Sequence, residues 1–241
     1  MSLEESGSRA DDSRSRTSIS AQRLAAQLLD DEDMAFLDGL QKAGLLEHLD
    51  EEELLRIASE VEESDGERRR VDLLALYYAA AGDDEVSETR RLADRYFLQS
   101  VGEPATASGL VDRLAVLTPE LGKVELERIG GGDDGPLVLR AGGHFSAVLD
   151  DYEEETDTEE YDLSEAEQRQ GGVTMVTVRG LVRALNVLLD RHDVRERLVS
   201  LRGDEEREVY VALGVAEAAQ LARAGFLEDE NAEDMMELAA W

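Results

Sequence analysis

Val71-Asp-Leu-Leu-Ala-Leu-Tyr-Tyr-Ala-Ala-Ala81 is apolar almost all the way round a helical projection, the pattern of a helix enclosed on most sides. Gly82 ends it. Ser87 is the expected cap of a second helix, with Glu88 in its first turn and Leu92, Ala93, Tyr96 and Phe97 as its apolar face. A third helix over 107–117, capped by Thr106 or Ser108, buries Leu110, Val111, Leu114 and Leu117. Lys123–Ile129 and Leu137–Arg140 read as two strands around the glycine-rich turn Gly130-Gly-Gly-Asp-Asp-Gly135. Residues 71–141 are therefore expected to share one core, containing Leu74, Leu76, Tyr77, Leu92, Phe97, Leu110, Leu114 and Val138.

Upstream, residues 1–18 are Ser, Arg and acid with almost nothing to bury, and are expected to be a disordered tail. Ala21, Leu24, Ala25, Leu28 and Leu29 then recur at helical spacing. A second helix over 32–43 stops at Gly44, and a third opens on Asp50, with Glu53 placed to complete a capping box. The segment 19–65 is thus helical, and Glu62–Arg70 reads as a polar link into the domain at 66–149.

Downstream, Phe145–Leu149 reads as a short helix and 150–170 as a loop, with nine acidic residues among the thirteen from Asp150 to Asp162. The rest, 171–241, echoes what precedes it. Gly109-Leu-Val-Asp-Arg-Leu-Ala-Val-Leu117 and Gly180-Leu-Val-Arg-Ala-Leu-Asn-Val-Leu188 agree at six of nine positions. Each is followed by a strand, a polar turn and a second strand, here Arg197–Leu201 and Arg207–Leu213, which argues for duplication. Val173–Val178, read as a strand, has no counterpart in the first copy. Helices over 215–224 and 232–240 close the chain, with Trp241 packing back or anchoring a partner.

The 57 acidic residues against 25 basic ones give a formal charge of −32, and only Lys42 and Lys123 are lysines. Such an acidic, lysine-poor surface resembles the cytoplasmic proteins of extremely halophilic archaea, where molar salt screens self-repulsion. Absence of cysteine excludes disulfides, thiolate metal sites and cysteine nucleophiles. No apolar run is long enough to span a bilayer and no signal region opens the chain, so a cytoplasmic location is expected.

Catalytic patterns are thin. His48, His144 and His192 are far apart, and none has a second ligand at helical spacing. The glycine run lacks the following helix and the Lys-Ser/Thr of a phosphate loop. No enzyme activity, metal or cofactor is expected. One charge feature stands out: between Gly171 and Arg202 there are six arginines and three acids. Arg179, Arg183, Asn186 and Asp190 share one arc of their helix, and Arg191, Arg195 and Arg197 follow. These arginines and Trp241 are the candidate contacts for a partner. The arginines would grip an acidic partner, phosphates or the chain's own acidic loop; the alternative is a solvated face paired with neighbouring acids.

The order of helices followed by a hairpin, met twice, is that of tandem winged-helix-like domains after a small helical segment, in a mainly α chain with β-hairpins (α+β). The Ala75-Leu-Tyr-Tyr-Ala-Ala-Ala-Gly-Asp-Asp-Glu-Val-Ser87 stretch, the Ile129–Tyr152 segment and the ending Val209–Leu213, helix, Gly225-Phe-Leu together resemble small accessory subunits of SMC chromosome-condensation complexes, the segregation and condensation protein B type. The resemblance implies a non-catalytic interaction subunit in chromosome segregation, partnered by an SMC or kleisin-like chain; a homodimer is a further expectation. A DNA-binding transcriptional regulator is the competing reading. The first hairpin and the helix before it are net negative, so nucleic acid would be met only through the second domain, by Arg179 and Arg183.

Overall fold

A computed structural model describes residues 21, 23–61, 64, 66–101, 105–129, 137–148 and 177–240. Among them 56% are helical and 21% are in strands, so the fold is mixed α+β with two three-stranded sheets. Contacts divide the chain into two units. Unit 1 comprises Met1–Val101, Ser200–Val209 and Ala216–Trp241, and unit 2 comprises Gly102–Val199 and Tyr210–Val215. The division falls inside the 71–141 stretch: Leu74, Tyr77 and Phe97 belong to unit 1, and Leu110, Leu114 and Val138 to unit 2. The single core expected for that stretch is not how its residues are grouped.

Unit 1 opens with helical residues 23–28, of which Ala25 is buried while Leu24 and Leu28 stay about half exposed. Helix α1 (Asp31–Lys42) has a full capping box between Asp30 and Asp33, and α2 (Glu51–Glu60) is capped by Asp50. The expected partner in that second box, Glu53, turns instead to arginines described below. Helix α3 (Gly66–Ala79) begins within the stretch read as a link, and buries Val71, Leu73, Leu74, Tyr77 and Tyr78. Its Arg69 reaches Asp33 of α1 at 2.8 Å and the Leu28 carbonyl at 2.7 Å, so the supposed linker is a cross-brace. A short 3-10 turn to Gly82 follows.

Helix α4 (Asp84–Ala93) corrects the expected cap. Asp83, not Ser87, receives an N–H, from Val86 at 3.2 Å, and Ser87 is buried within the helix. It also ends before Tyr96 and Phe97. Arg95 takes a left-handed φ of 49°, which breaks the helix, and the chain continues as strand β1 (Tyr96–Ser100). Leu92, placed in the core by the helical reading, is 50% exposed.

In unit 2, α5 (Ala107–Ala115) is capped by Thr106, and the hairpin read at 123–140 is present as β2 (Val124–Arg128) paired antiparallel with β3 (Leu137–Ala141). A third strand, β4 (His144–Ala147), stands where a short helix was expected. It pairs with β3 around Gly142-Gly143, with φ of 55° at Gly142, a two-residue turn that suits a hairpin. Helix α6 (Val178–Arg191) starts at the residue expected to end a strand; residues 173–176 lie outside the described residues, as do the tail 1–18, the acidic run and Trp241. Helix α5 packs on β2, α6 on β3 and β4, and the two helices touch.

The two copies of the nine-residue repeat begin alike. Thr106 accepts from Gly109 N–H at 3.1 Å, and Thr177 from Gly180 N–H at 3.0 Å. Leu110, Val111, Leu114 and Leu117 are buried in the first, Leu181, Val182, Leu185 and Leu188 in the second. A threonine cap followed by glycine and an apolar stripe therefore makes the same local structure twice.

The second hairpin is β5 (Glu196–Asp204) and β6 (Arg207–Gly214), longer and tighter-turned than the sequence suggested, and β1 lies beside β6 in the order β1-β6-β5. Its far end belongs to unit 1. There Leu201 bridges to Leu227, and Arg202 N–H donates to the Phe226 carbonyl at 2.8 Å. Helices α7 (Val215–Arg223) and α8 (Asp229–Leu238) complete the chain. Phe36 of α1 meets Phe226 edge-on at 5.2 Å, and Gly39 gives that ring room. No helix among the described residues is long and apolar enough to cross a membrane.

Candidate functional site

Two places gather polar side chains: a network inside unit 1 and an exposed patch on unit 2. In unit 1, Glu53 is gripped by two arginines. Arg56 donates to both its oxygens, at 3.0 and 2.8 Å, and Arg90 to Oε1 at 2.6 Å. These bonds, Arg56 first, hold the Glu53 carboxyl below its usual range. Arg90 also donates to the Tyr77 carbonyl and lies 4.7 Å above the Tyr77 ring. Beside it, Tyr78 donates to Asp94 at 2.9 Å and stacks on Tyr96 at 3.9 Å. Burial raises the Asp94 carboxyl and pushes the Tyr77 hydroxyl up to about 12. An open cavity of about 610 Å³ lies between the α1–α2 loop and α4, lined by Glu47, His48, Asp50, Glu85 and Arg90 among others. The network ties α2, α3 and α4 together.

The patch on unit 2 is different, because its side chains face solvent. Arg191 and His192 end α6, and both reach the β3–β4 hairpin. Arg191 donates to the Phe145 carbonyl, with its guanidinium 6.0 Å from the Phe145 ring. His192 Nε2 lies 3.1 Å from the Ala141 carbonyl, which requires that nitrogen to carry the proton. The His192 ring meets His144 edge-on at 4.9 Å, so two histidines far apart in sequence become neighbours. Gly142 is needed beneath them: a Cβ there would stand 3.2 Å from His192 Cε1, on a backbone that already favours glycine. Phe145 remains 54% exposed, and Val187, one turn before Arg191, 41%.

The candidate arginines fare unequally. Arg179, Arg191 and Arg195 are exposed and Arg183 is half-buried, all in unit 2. Arg197 is only 11% exposed, paired with Asp190 at 2.9 Å and donating to the Val194 and Glu196 carbonyls. It serves the α6–β5 connection. Arg202 falls in unit 1, where it pairs with Asp229 and approaches Glu67 at 3.7 Å. Asn186, on the same polar arc, is a clamp on β5. Phe145 escaped the sequence reading because it was placed on a helix; the turn signal Gly142-Gly143 between two apolar runs could have put it on a strand.

The chain matches no family model, no curated protein and no solved structure. Among the described residues no three His, Asp or Glu side chains gather as a metal site.

Proposed function

We propose that the chain is a non-catalytic accessory subunit that recognises another protein through the α6–β4 patch, of the kind that serves SMC complexes in chromosome segregation. The exposed Phe145 carries this reading. An aromatic ring left half in water beside an arginine is the composition of an interface centre, where aromatic side chains and arginine are enriched. Charge supports it locally: between Gly171 and Arg202 the sequence holds six arginines and three acids, in a chain of −32.

The tandem winged-helix arrangement is the finer part of this proposal. It is favoured by the repeated threonine-capped helix followed by a hairpin. Against it, among the described residues only α6 directly precedes the second hairpin, where a winged helix has three helices.

Nucleic-acid recognition is the second reading, favoured by Arg179 exposed in the first turn of α6, which holds no acid. Cations at the first hairpin do not favour it: Arg140 is paired with Glu127 at 3.0 Å and Lys123 with Glu125 at 2.5 Å.

Affinity capture from the native cytosol at working salt tests the proposal. An SMC or kleisin-like chain should be retained by the wild type and lost with Phe145→Ala and Arg191→Glu. Recovery of one promoter sequence instead, lost with Arg179→Glu, would establish the regulator.

A further inference from the structure

We infer that the outer edge of β4 receives an extended acidic strand from the partner, an inference that rests on the interaction reading above. Ala141 pairs with His144 across the turn, Arg140 with Phe145, Leu139 with Ser146 and Val138 with Ala147. The ladder continues with Val148 N–H donating to the Leu137 carbonyl at 2.9 Å. Pairs that exchange hydrogen bonds alternate with pairs that do not. The bonded ones are therefore Ala141 with His144, Leu139 with Ser146 and Leu137 with Val148. The main-chain groups of Phe145 and Ala147 consequently point away from β3, toward the edge.

Among the described residues β4 has only β3 as a neighbour. Sheet edges are ordinarily blunted with charge. The opposite edge strand, β2, carries Glu125, Glu127 and Arg128, whereas β4 reads His-Phe-Ser-Ala with no carboxylate or lysine. Arg191 places a guanidinium on the edge, at the Phe145 carbonyl, and exposed Arg195 follows it in sequence. The edge thus offers the outward Phe145 N–H, the outward main-chain groups of Ala147, a cation seated on the Phe145 carbonyl, and an exposed ring. An extended peptide with carboxylates and apolar residues answers all of these, with the main chain giving affinity and the side chains register. A nucleic acid answers only the cation and the ring, and leaves the outward main-chain groups without partners.

The probe is a capped peptide of alternating glutamate and valine, about ten residues long, enough for one strand. It is titrated calorimetrically into the full chain at working salt. Saturable binding is expected, with an alternating lysine and valine peptide bound far more weakly. Ala147→Pro removes an outward N–H and leaves the β3 ladder whole, so affinity should fall by about tenfold, while Ala147→Val should retain it. A melting curve checks that Ala147→Pro folds. Should it not fold, the glutamate-valine peptide N-methylated at alternate residues is the second probe, and the same loss is expected.

No binding, equal affinity for Ala147→Pro and wild type, equal affinity of the methylated peptide, or preference for the lysine peptide or a thymidine oligonucleotide would each overturn the inference. So would binding that emerges only when residues 150–162 are deleted, because the chain itself would then be the occupant. If the cytosolic partner is still captured by Ala147→Pro at full strength, the interaction reading stands and the strand-edge inference alone falls.

Discussion

Asn186 and Leu198 exchange two hydrogen bonds of 2.8 Å each, the side-chain amide donating to the Leu198 carbonyl and accepting its N–H. One amide on α6 thereby satisfies β5 as a neighbouring strand would. Asn186→Ala should cost about 1–3 kcal/mol, because two partly buried main-chain groups lose their partner together. Asn186→Asp should be worse at neutral pH than in acid, since its carboxylate would face the Leu198 carbonyl. Denaturant unfolding at both pH values reads this out; equal stability of all three proteins would show that water replaces the amide without loss.

Stability should fall in acid through Glu53. Its pKa is lowered in the fold, so its stabilising contribution is present above the ordinary value of 4.5 and lost as pH falls through the folded value. Glu53→Gln should lower stability at neutral pH by about 1–3 kcal/mol, as loss of charged hydrogen bonds does. Its unfolding free energy should also vary less with pH below about 4.5 than that of the wild type.

Leu114 and Leu185 occupy equivalent places in the two repeat copies, and both are fully buried. Each leucine-to-alanine change should cost about 2–5 kcal/mol. Since both lie in unit 2, a fluorescence or exchange probe placed there should report both losses.

Gly203 lies near the end of β5, just before the hairpin turn, where a Cβ would stand 2.6 Å from the Arg207 carbonyl oxygen. Gly203→Ala must shift main chain, at a cost on the order of 1–3 kcal/mol. A melting temperature unchanged from wild type would contradict the close approach.

Melting temperature should rise with salt. The charge of −32 repels itself over a Debye length of ~10 Å at 0.1 M salt but only ~3 Å at 1 M. A flat profile across that range would remove the halophile reading.

The elements written into local sequence were legible: the Asp50 cap, Thr106 as one of two candidate caps, the enclosed helix at Val71–Ala81 and the β2–β3 hairpin. What failed depended on a single residue's backbone or on distance. Arg95 at positive φ turned an apparent helical face at Tyr96 and Phe97 into a strand, and nothing in its neighbours announces that. Asp33–Arg69 and His144–His192 are contacts across 36 and 48 residues, made by tertiary packing alone. The arginine segment was visible as composition, but which arginines are tied down depended on Asp190 for Arg197 and on Asp229 for Arg202. Phe145, the residue on which the site turns, was hidden by a wrong assignment of its element.

Phe36 and Phe226 meet in unit 1, although 190 residues of sequence separate them. Chains emerge from the ribosome from their N-terminal end, so α1 must wait, its Phe36 face uncovered, until the chain has been made as far as Phe226. Unit 2, most of whose sequence lies between, is synthesised in that interval. Removing Phe226 and the residues that follow it is therefore expected to harm α1, made long before them, and a fragment ending at Val101 should be a poor folding unit by itself.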